Sequence, residues 1–206
     1  MAGKSRTKLI IAAVIAVLLI ATFLFADDAA RVLYPLKYHD LIQKYSERYN
    51  LDPYLVLAVI KAESSFRHTA VSRKNARGLM QITEGTGKWS AEKIGLKDFT
   101  VDMLFDPEIN INIGCWYLSR LYSEFGDTDL VLAAYNAGSG NVSKWLNDRE
   151  LSSTGRTLDR IPFRETEKYL KKVRNSYLIY KKKSFLKKTC CILLTTASNQ
   201  AAYISG

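Results

Sequence analysis

The stretch DPYLVLAVIKAESSF, residues 52–66, decides the fold of this chain. Asp52 is a typical N-cap residue and Pro53 suits the first turn of a helix, so a helix is predicted to begin here. The run of apolar residues from 55 to 60 has no polar face, which is typical of a helix that is buried on most of its surface. The sequence therefore predicts a largely buried helix.

Glu63 is the exception within this helix. It follows Ile60 by three residues and precedes Phe66 by three, so helical spacing places its carboxyl group on the apolar stripe. Desolvation raises the pKa of a buried carboxyl group, and a general acid needs a raised pKa to hold its proton near neutral pH. Two interpretations follow from the residues alone. Glu63 is a general acid, or it is a structural carboxylate that caps the helix or pairs with Lys61 or Arg67.

Helical spacing recurs along the rest of the domain. Further helices are predicted over residues 34–49, 106–126 and 127–136. Residues 67–87 contain several glycines and hydroxyl residues, which predicts a loop interrupted by one helical turn at residues 79–82. Since no alternating strand pattern recurs, the fold class predicted is mainly α, in one domain from about residue 34 to 183.

The amino-terminal segment predicts a membrane anchor. Residues 9–26, LIIAAVIAVLLIATFLFA, contain no charged residue, while basic residues precede them and Asp27 and Asp28 follow. A run of this length is near the lower limit for spanning a bilayer, and the positive-inside rule leaves residues 1–8 in the cytoplasm and the remainder outside. The alternative is a signal peptide that is cleaved on secretion, although no A-x-A-like site ends the run.

The net charge of +10 lies at the two ends of the chain. Residues 1–8 contribute +3 and residues 160–206 contribute +9, which leaves about −2 for residues 9–159. A nearly neutral central domain argues against a nucleic-acid-binding protein. The basic-apolar tail, residues 184–206, is either a solvated surface or a contact for anionic lipids or acidic wall polymers.

The cysteines predict no metal site and no disulfide framework. Cys115, Cys190 and Cys191 have neither metal-ligand spacing nor an even number. Cys115 lies in a helical pattern, where a small buried apolar side chain is expected. Cys190 and Cys191 lie in the tail, where acylation or oxidation is a hypothesis. No metal or other cofactor is expected.

Short motifs occur in a fixed order along the domain. They are AESSF (62–66), GLMQI (78–82), AYNAG (134–138) and IPFRETEKYLKKV (161–173). In this order the chain resembles the soluble-type lytic transglycosylases, whose domain has a goose-type lysozyme-like fold. The resemblance runs from about residue 49 to 174, so residues 49–183 are expected to form the catalytic domain and residues 27–48 a linker with a leading helix.

The resemblance implies cleavage of the peptidoglycan glycan strand between N-acetylmuramic acid and N-acetylglucosamine without water. Glu63 matches the catalytic glutamate of the family, which acts as acid and then as base to leave a 1,6-anhydro sugar. A second catalytic carboxylate at Glu84, Asp98 or Asp102 would instead make the protein a muramidase. A catalytically idle protein that binds or scaffolds peptidoglycan is the third hypothesis.

The resemblance also suggests substrate-binding residues. Ser64 would orient the substrate or Glu63, although a hydrogen bond back to the helix backbone is the simpler role for its hydroxyl group. Met80 and Gln81 would line the groove, although packing in the core is the simpler role for Met80. Tyr135 would stack on a sugar face, and Asn136 would hold the N-acetyl group or help to stabilise the oxocarbenium-like state.

The last motif contributes residues from the carboxyl-terminal part of the domain. Tyr169 would bring its hydroxyl group close to Glu63, where a hydrogen bond could change the proton affinity of the carboxyl group. Glu165 and Thr166 fit a structural role at the start of a helix.

Overall fold

The computed structural model describes residues 10, 11, 13–18, 20, 22 and 33–204, with side chains as far as residue 184. The chain divides into two compact units, Met1–Lys37 and Tyr38–Gly206. In the first unit the described residues between 10 and 22 are helical. Within the described part of the chain, no helix has the length and apolarity needed to cross a membrane. The predicted anchor at residues 9–26 falls partly outside that part and stays a prediction.

The second unit is mainly helical, as predicted. Its helices are α1 His39–Arg48, α2 Pro53–Glu63, α3 Glu84–Ile94, α4 Pro107–Phe125, α5 Thr128–Ala137, α6 Ser139–Leu146 and α7 Arg164–Ile204, with a 3-10 helix at Val101–Phe105. β-pairing in the described residues is limited to isolated antiparallel bridges, which join Arg77 to Val71 and to Ile82. The domain bounds of 49–183 and the separate tail remain predictions.

Helix α2 begins where the sequence predicted. The Asp52 side chain accepts a hydrogen bond from the backbone N–H of Tyr54 at 2.9 Å, and Pro53 occupies the first turn. The other oxygen of Asp52 accepts from the Tyr177 hydroxyl at 2.8 Å, so this cap also ties α2 to α7. Every residue from 55 to 60 is buried, and α2 packs against α1 and α7. The helix therefore forms the centre of the core.

The chain leaves α2 in an unusual backbone conformation. Ser65 and Phe66 have positive φ values of 53° and 66°, in the left-handed region that β-carbon sterics disfavour. Phe66 is nevertheless buried. Its packing holds the chain in this turn, which directly follows the last helical residue, Glu63, and the C-cap residue, Ser64.

The predicted loop after α2 is shorter than expected. Residues 78–81 form a hydrogen-bonded turn between the bridged residues Arg77 and Ile82, but residues 84–87 already belong to α3. Thr83 caps this helix by accepting a hydrogen bond from the backbone N–H of Thr86. A β-carbon at Gly87 would lie 2.9 Å from the ring of Phe99. Gly87 therefore gives α3 a close approach to the core rather than breaking the helix.

Candidate active site

Glu63 is the last residue of α2, and its side chain is largely enclosed by protein with a small exposed surface. Desolvation raises the pKa of its carboxyl group from an ordinary 4.5 to about 7. This is the electrostatic condition that the sequence predicted for a general acid. The charges that act on the pKa come from Lys172 and Glu165 of α7, not from the adjacent Lys61 or Arg67.

Helix α7 supplies three groups that act on Glu63. The Tyr169 hydroxyl is buried and forms no well-aligned hydrogen bond within the described residues, yet it lies close enough to lower the pKa of Glu63 as a donor does. The positive charge of Lys172 also lowers that pKa, and the negative charge of Glu165 raises it. The lowering effects of Tyr169 and Lys172 only partly offset desolvation, so the pKa of the carboxyl group stays at about 7.

Ser64 connects the end of α2 to the turn that follows. Its hydroxyl group is buried and donates to the carbonyl oxygen of Leu79 at 2.8 Å. Ser64 follows Glu63 directly in the sequence, but its hydroxyl proton points into the protein. Its predicted contact with substrate stays a prediction.

The turn at residues 78–81 is fixed by its own side chains. The Gln81 amide group donates to the carbonyl oxygens of Ala70 at 3.1 Å and Gly78 at 2.9 Å. Both bonds use the amide nitrogen, so the side-chain oxygen of Gln81 is left to accept a hydrogen bond from a ligand. Gly78 is required here, since a β-carbon would lie 2.1 Å from the Leu104 carbonyl oxygen and φ is 77°.

The side chain, backbone N–H and carbonyl oxygen of Met80 all contact other parts of the protein. Its side chain is fully buried against Gly114, where a β-carbon would lie 2.3 Å from the Met80 sulfur. Its backbone N–H donates to the Asn110 side-chain oxygen at 2.8 Å, and its carbonyl oxygen accepts from the Tyr135 hydroxyl at 2.8 Å. The motifs GLMQI and AYNAG are therefore joined through one residue.

The end of α5 brings Tyr135 and Asn136 to the same region. Desolvation, followed by the nearby negative charge of Glu63, holds the pKa of Tyr135 well above its usual value. The Asn136 side-chain oxygen accepts from the Thr166 hydroxyl at 2.8 Å. Among the described residues the Asn136 amide nitrogen has no hydrogen-bond partner, so it can donate to a ligand. The assigned roles of both residues stay predictions.

A row of aromatic rings continues outward from Tyr135. The centroids of Tyr135 and Tyr117 are 5.5 Å apart, and those of Tyr117 and Trp89 are 6.2 Å apart. Trp89 also meets Trp116 edge to face at 4.9 Å and is exposed at the surface. Sequence reasoning missed this row because its members lie on three different helices.

The other carboxylates considered from the sequence lie at the surface. Glu84 pairs with Lys88 at 2.6 Å, and Asp102 pairs with Arg77 at 2.5 Å. Asp98 is exposed in a loop. None of the three acts on the pKa of Glu63.

The described residues contain no cluster of histidine, cysteine and carboxylate side chains that could hold a metal ion. Cys115 is a fully buried free thiol, and its burial raises its pKa. The side chains of Cys190 and Cys191 lie outside the described part of the chain. Their hypothesised modification stays a prediction.

The mainly helical fold, with the buried Glu63 at the end of a central helix, places this domain in the lysozyme-like class. The solved structures that resemble it include an inactive mutant of the lytic transglycosylase Slt from Pseudomonas aeruginosa, with TM-score 0.64 and 32% identity over 73% of this chain and 25% of that one. Another is the 70-kDa soluble lytic transglycosylase of Escherichia coli, with TM-score 0.65 and 34% identity over 72% of this chain and 24% of that one.

The chain belongs to the Transglycosylase SLT domain family, whose model matches residues 40–155. Its relatives include the soluble lytic murein transglycosylase of Escherichia coli K12, 36% identical over 68% of this chain and 22% of the relative. The membrane-bound lytic murein transglycosylase C of Edwardsiella ictaluri is 33% identical over 71% of this chain and 47% of the relative. The chain thus spans about a fifth to a half of the relatives' length. Thr166, Tyr169 and Lys172 lie beyond the residues that the family model matches.

Proposed function

We propose that this chain is a peptidoglycan lytic transglycosylase in which Glu63 acts first as the acid and then as the base. One observation carries the proposal: Glu63 is a desolvated carboxyl group whose pKa is raised to about 7. A group with this pKa holds and releases a proton readily near neutral pH, so it can serve in both steps. Similarity to proteins named lytic murein transglycosylases supports the same activity.

In the first step, Glu63 donates its proton to the oxygen that joins N-acetylmuramic acid to N-acetylglucosamine. The bond from this oxygen to the anomeric carbon of the muramic acid breaks, and N-acetylglucosamine leaves with a hydroxyl group. In the second step, the 6-hydroxyl oxygen of the muramic acid bonds to that carbon while its proton passes to the Glu63 carboxylate. The product is a 1,6-anhydro sugar, no water is consumed, and Glu63 is protonated again.

The residues around the acid offer polar atoms for the sugar. The Asn136 amide nitrogen would donate to an N-acetyl carbonyl oxygen, and the Gln81 side-chain oxygen would accept from an N-acetyl N–H. The ring of Tyr135 begins the aromatic row and would contact a sugar face. The buried hydroxyl of Tyr169 would donate to Glu63 when the carboxyl group is ionised.

Ser64 and Met80 support this arrangement from inside the protein. The Ser64 hydroxyl holds the turn after α2 through Leu79, and Met80 joins that turn to Tyr135. Both residues would then act on the substrate by fixing the walls of the groove.

Muramidase activity is the second candidate function, and the position of Glu165 close to Glu63 favours it. This carboxylate is near enough to raise the pKa of Glu63. Hydrolysis needs a second carboxylate that either activates water or attacks the sugar. Glu165 is exposed at the start of α7, so it lacks the desolvation that distinguishes Glu63.

The location outside the cytoplasm is part of the proposal. Residues 9–26 would hold the protein at the membrane with residues 1–8 inside, and a membrane-bound relative supports this. Secretion after cleavage of the segment is the alternative. The tail, residues 184–206, would contact anionic lipids or wall polymers rather than nucleic acid.

Digestion of purified peptidoglycan by the full-length protein in detergent tests the activity. Mass spectrometry of the released muropeptides should find 1,6-anhydro-muramic acid ends, and Glu63→Gln should release none. Ends that carry one added water would identify a muramidase. Sedimentation of the protein with intact peptidoglycan, without soluble fragments, would identify an idle binding or scaffold protein.

A further inference from the structure

Lys172 makes a contact with α2 that the proposed mechanism does not yet use. Its side-chain nitrogen donates to the carbonyl oxygen of Ala62 at 2.5 Å, across a separation of 110 residues in the sequence. Ala62 directly precedes Glu63. The last four carbonyl groups of a helix have no partner within the helix, so Lys172 satisfies one of the free acceptors of α2.

The position of this amino group also matters for charge. A cation at the carboxyl-terminal end of a helix interacts favourably with the helix dipole. Lys172 is therefore stabilised where it lies, although its side chain reaches there from an exposed position on α7. Its contact fixes the peptide group from which the Glu63 side chain extends.

The titratable and charged groups that face Glu63 come from two helices. They are Tyr135 of α5 and Glu165, Tyr169 and Lys172 of α7. Lys172 is the only cation of this set. It favours the ionised form of Glu63, and Glu165 opposes it. Lys172 thus stabilises the carboxylate that exists between donation of the first proton and acceptance of the second.

We propose that Lys172 is a positioning residue for the acid, which holds the last turn of α2 through the Ala62 carbonyl oxygen and places one positive charge beside Glu63. This proposal rests on the proposed function, since it gives Lys172 a part in the same reaction. Lys172 does not touch the bond that is broken. It acts through Glu63, by setting where the carboxyl group points and how strongly it holds its proton.

The pH dependence of kcat/KM for the full-length protein on soluble glycan strands tests this role, because it reports ionisation in the free enzyme. Activity that requires protonated Glu63 falls as the pH rises through the pKa of that group. Lys172→Met removes the charge that favours ionisation of Glu63. The falling limb, which is the part of the pH profile where kcat/KM decreases, should therefore move to higher pH. Lys172→Arg keeps the charge and a donor, and its limb should stay at the wild-type pH.

Lys171→Met is the matched control. Lys171 is the adjacent residue of α7, but it pairs with Glu167 at 2.6 Å on the exposed surface and does not act on the pKa of Glu63. Its loss should leave the falling limb unchanged. Glu165→Gln removes the opposing charge and should move the limb to lower pH. If Lys172→Met fails to fold, as judged by circular dichroism, Lys172→Gln takes its place.

An unchanged limb in both Lys172→Met and Lys172→Gln would overturn the proposal, as would the same shift in Lys172→Arg or Lys171→Met. These results leave the proposed function intact whenever the wild-type protein releases anhydro ends. Failure of the wild-type protein to release them would instead remove the function itself.

Discussion

The hydroxyl group of Thr166 donates to the side-chain oxygen of Asn136 at 2.8 Å and joins the first turn of α7 to the end of α5. Thr166 is buried, with 1% of its surface exposed. Because the hydroxyl proton goes to the oxygen, the amide nitrogen of Asn136 is directed away from it. This contact therefore determines which atom of Asn136 is offered to a ligand.

Thr166→Val should weaken both folding and substrate binding. It removes the donor and leaves the Asn136 oxygen without a partner, at a cost of about 1–3 kcal/mol. The freed amide can rotate, so KM should rise more than kcat falls. Urea unfolding and steady-state kinetics check both effects. Thr128→Val is the control, because its hydroxyl contacts Tyr122 at the exposed surface and its loss should change neither. Equal effects in the two variants would contradict this account.

Glu63→Gln should stabilise the protein increasingly as the pH rises. The pKa of Glu63 is raised from 4.5 to about 7 in the folded protein, so the folded state holds the proton more tightly than the unfolded state. The stability that this proton contributes is fully present below pH 4.5 and is lost as the pH rises through 7. The neutral glutamine avoids that loss, which amounts to about 3 kcal/mol at most.

Urea unfolding of the wild-type protein and Glu63→Gln at acidic and slightly alkaline pH measures this difference. Glu150→Gln, at an exposed loop position, serves as the control and should show no such trend. A stability difference for Glu63→Gln that does not change with pH would mean that the carboxyl group is ordinarily solvated.

Tyr135→Phe and Tyr169→Phe should have different consequences, the first for stability and the second for the pH dependence of activity. The Tyr135 hydroxyl donates to the Met80 carbonyl oxygen, so its removal should destabilise the fold by about 1 kcal/mol. The Tyr169 hydroxyl is buried without a well-formed hydrogen bond, so its removal should cost little stability. Since Tyr169 lowers the pKa of Glu63, the falling limb of activity should move to higher pH in Tyr169→Phe. A large loss of stability in Tyr169→Phe would show that its hydroxyl is satisfied.

Gly114→Ala should disturb the site through Met80. Its new methyl group would lie 2.3 Å from the Met80 sulfur and 3.0 Å from the Met80 β-carbon, so the buried side chain must move. Overpacking of this kind costs about 1–3 kcal/mol. Gly85→Ala is the control, since no heavy atom lies within 4 Å of a β-carbon there. Thermal unfolding that places the two variants at the same midpoint would contradict the packing described for Met80.

Local signals in the sequence predict the scaffold well. The pair Asp52 and Pro53 predicts the start of α2, and the pair Asp106 and Pro107 predicts the start of α4. The burial of Glu63 also follows from helical spacing. Glycine was a misleading signal near α3, because Gly87 lies inside a helix and permits close packing on Phe99 instead of marking a loop. A single sequence does not distinguish these two uses of glycine.

Contacts between distant segments could not be predicted in the same way. Lys172 reaches Ala62 from 110 residues away, within a run of lysines that looks like an ordinary solvated helix face. Asn110 is fully buried, and its side chain holds the backbone of Met80 and the Leu104 carbonyl oxygen. The sequence offered one signal for the burial of Asn110, which is a polar residue at an apolar position of a helical pattern. Its partners depend on the tertiary fold.

In the proposed mechanism the 6-hydroxyl group of the muramic acid, and not water, completes the reaction at Glu63. Digestion of purified peptidoglycan in water enriched in oxygen-18, followed by mass spectrometry of the new muramic acid ends, distinguishes the two acceptors. The wild-type protein should form anhydro ends without oxygen-18. New ends that contain oxygen-18 would contradict this mechanism and would identify water as the acceptor.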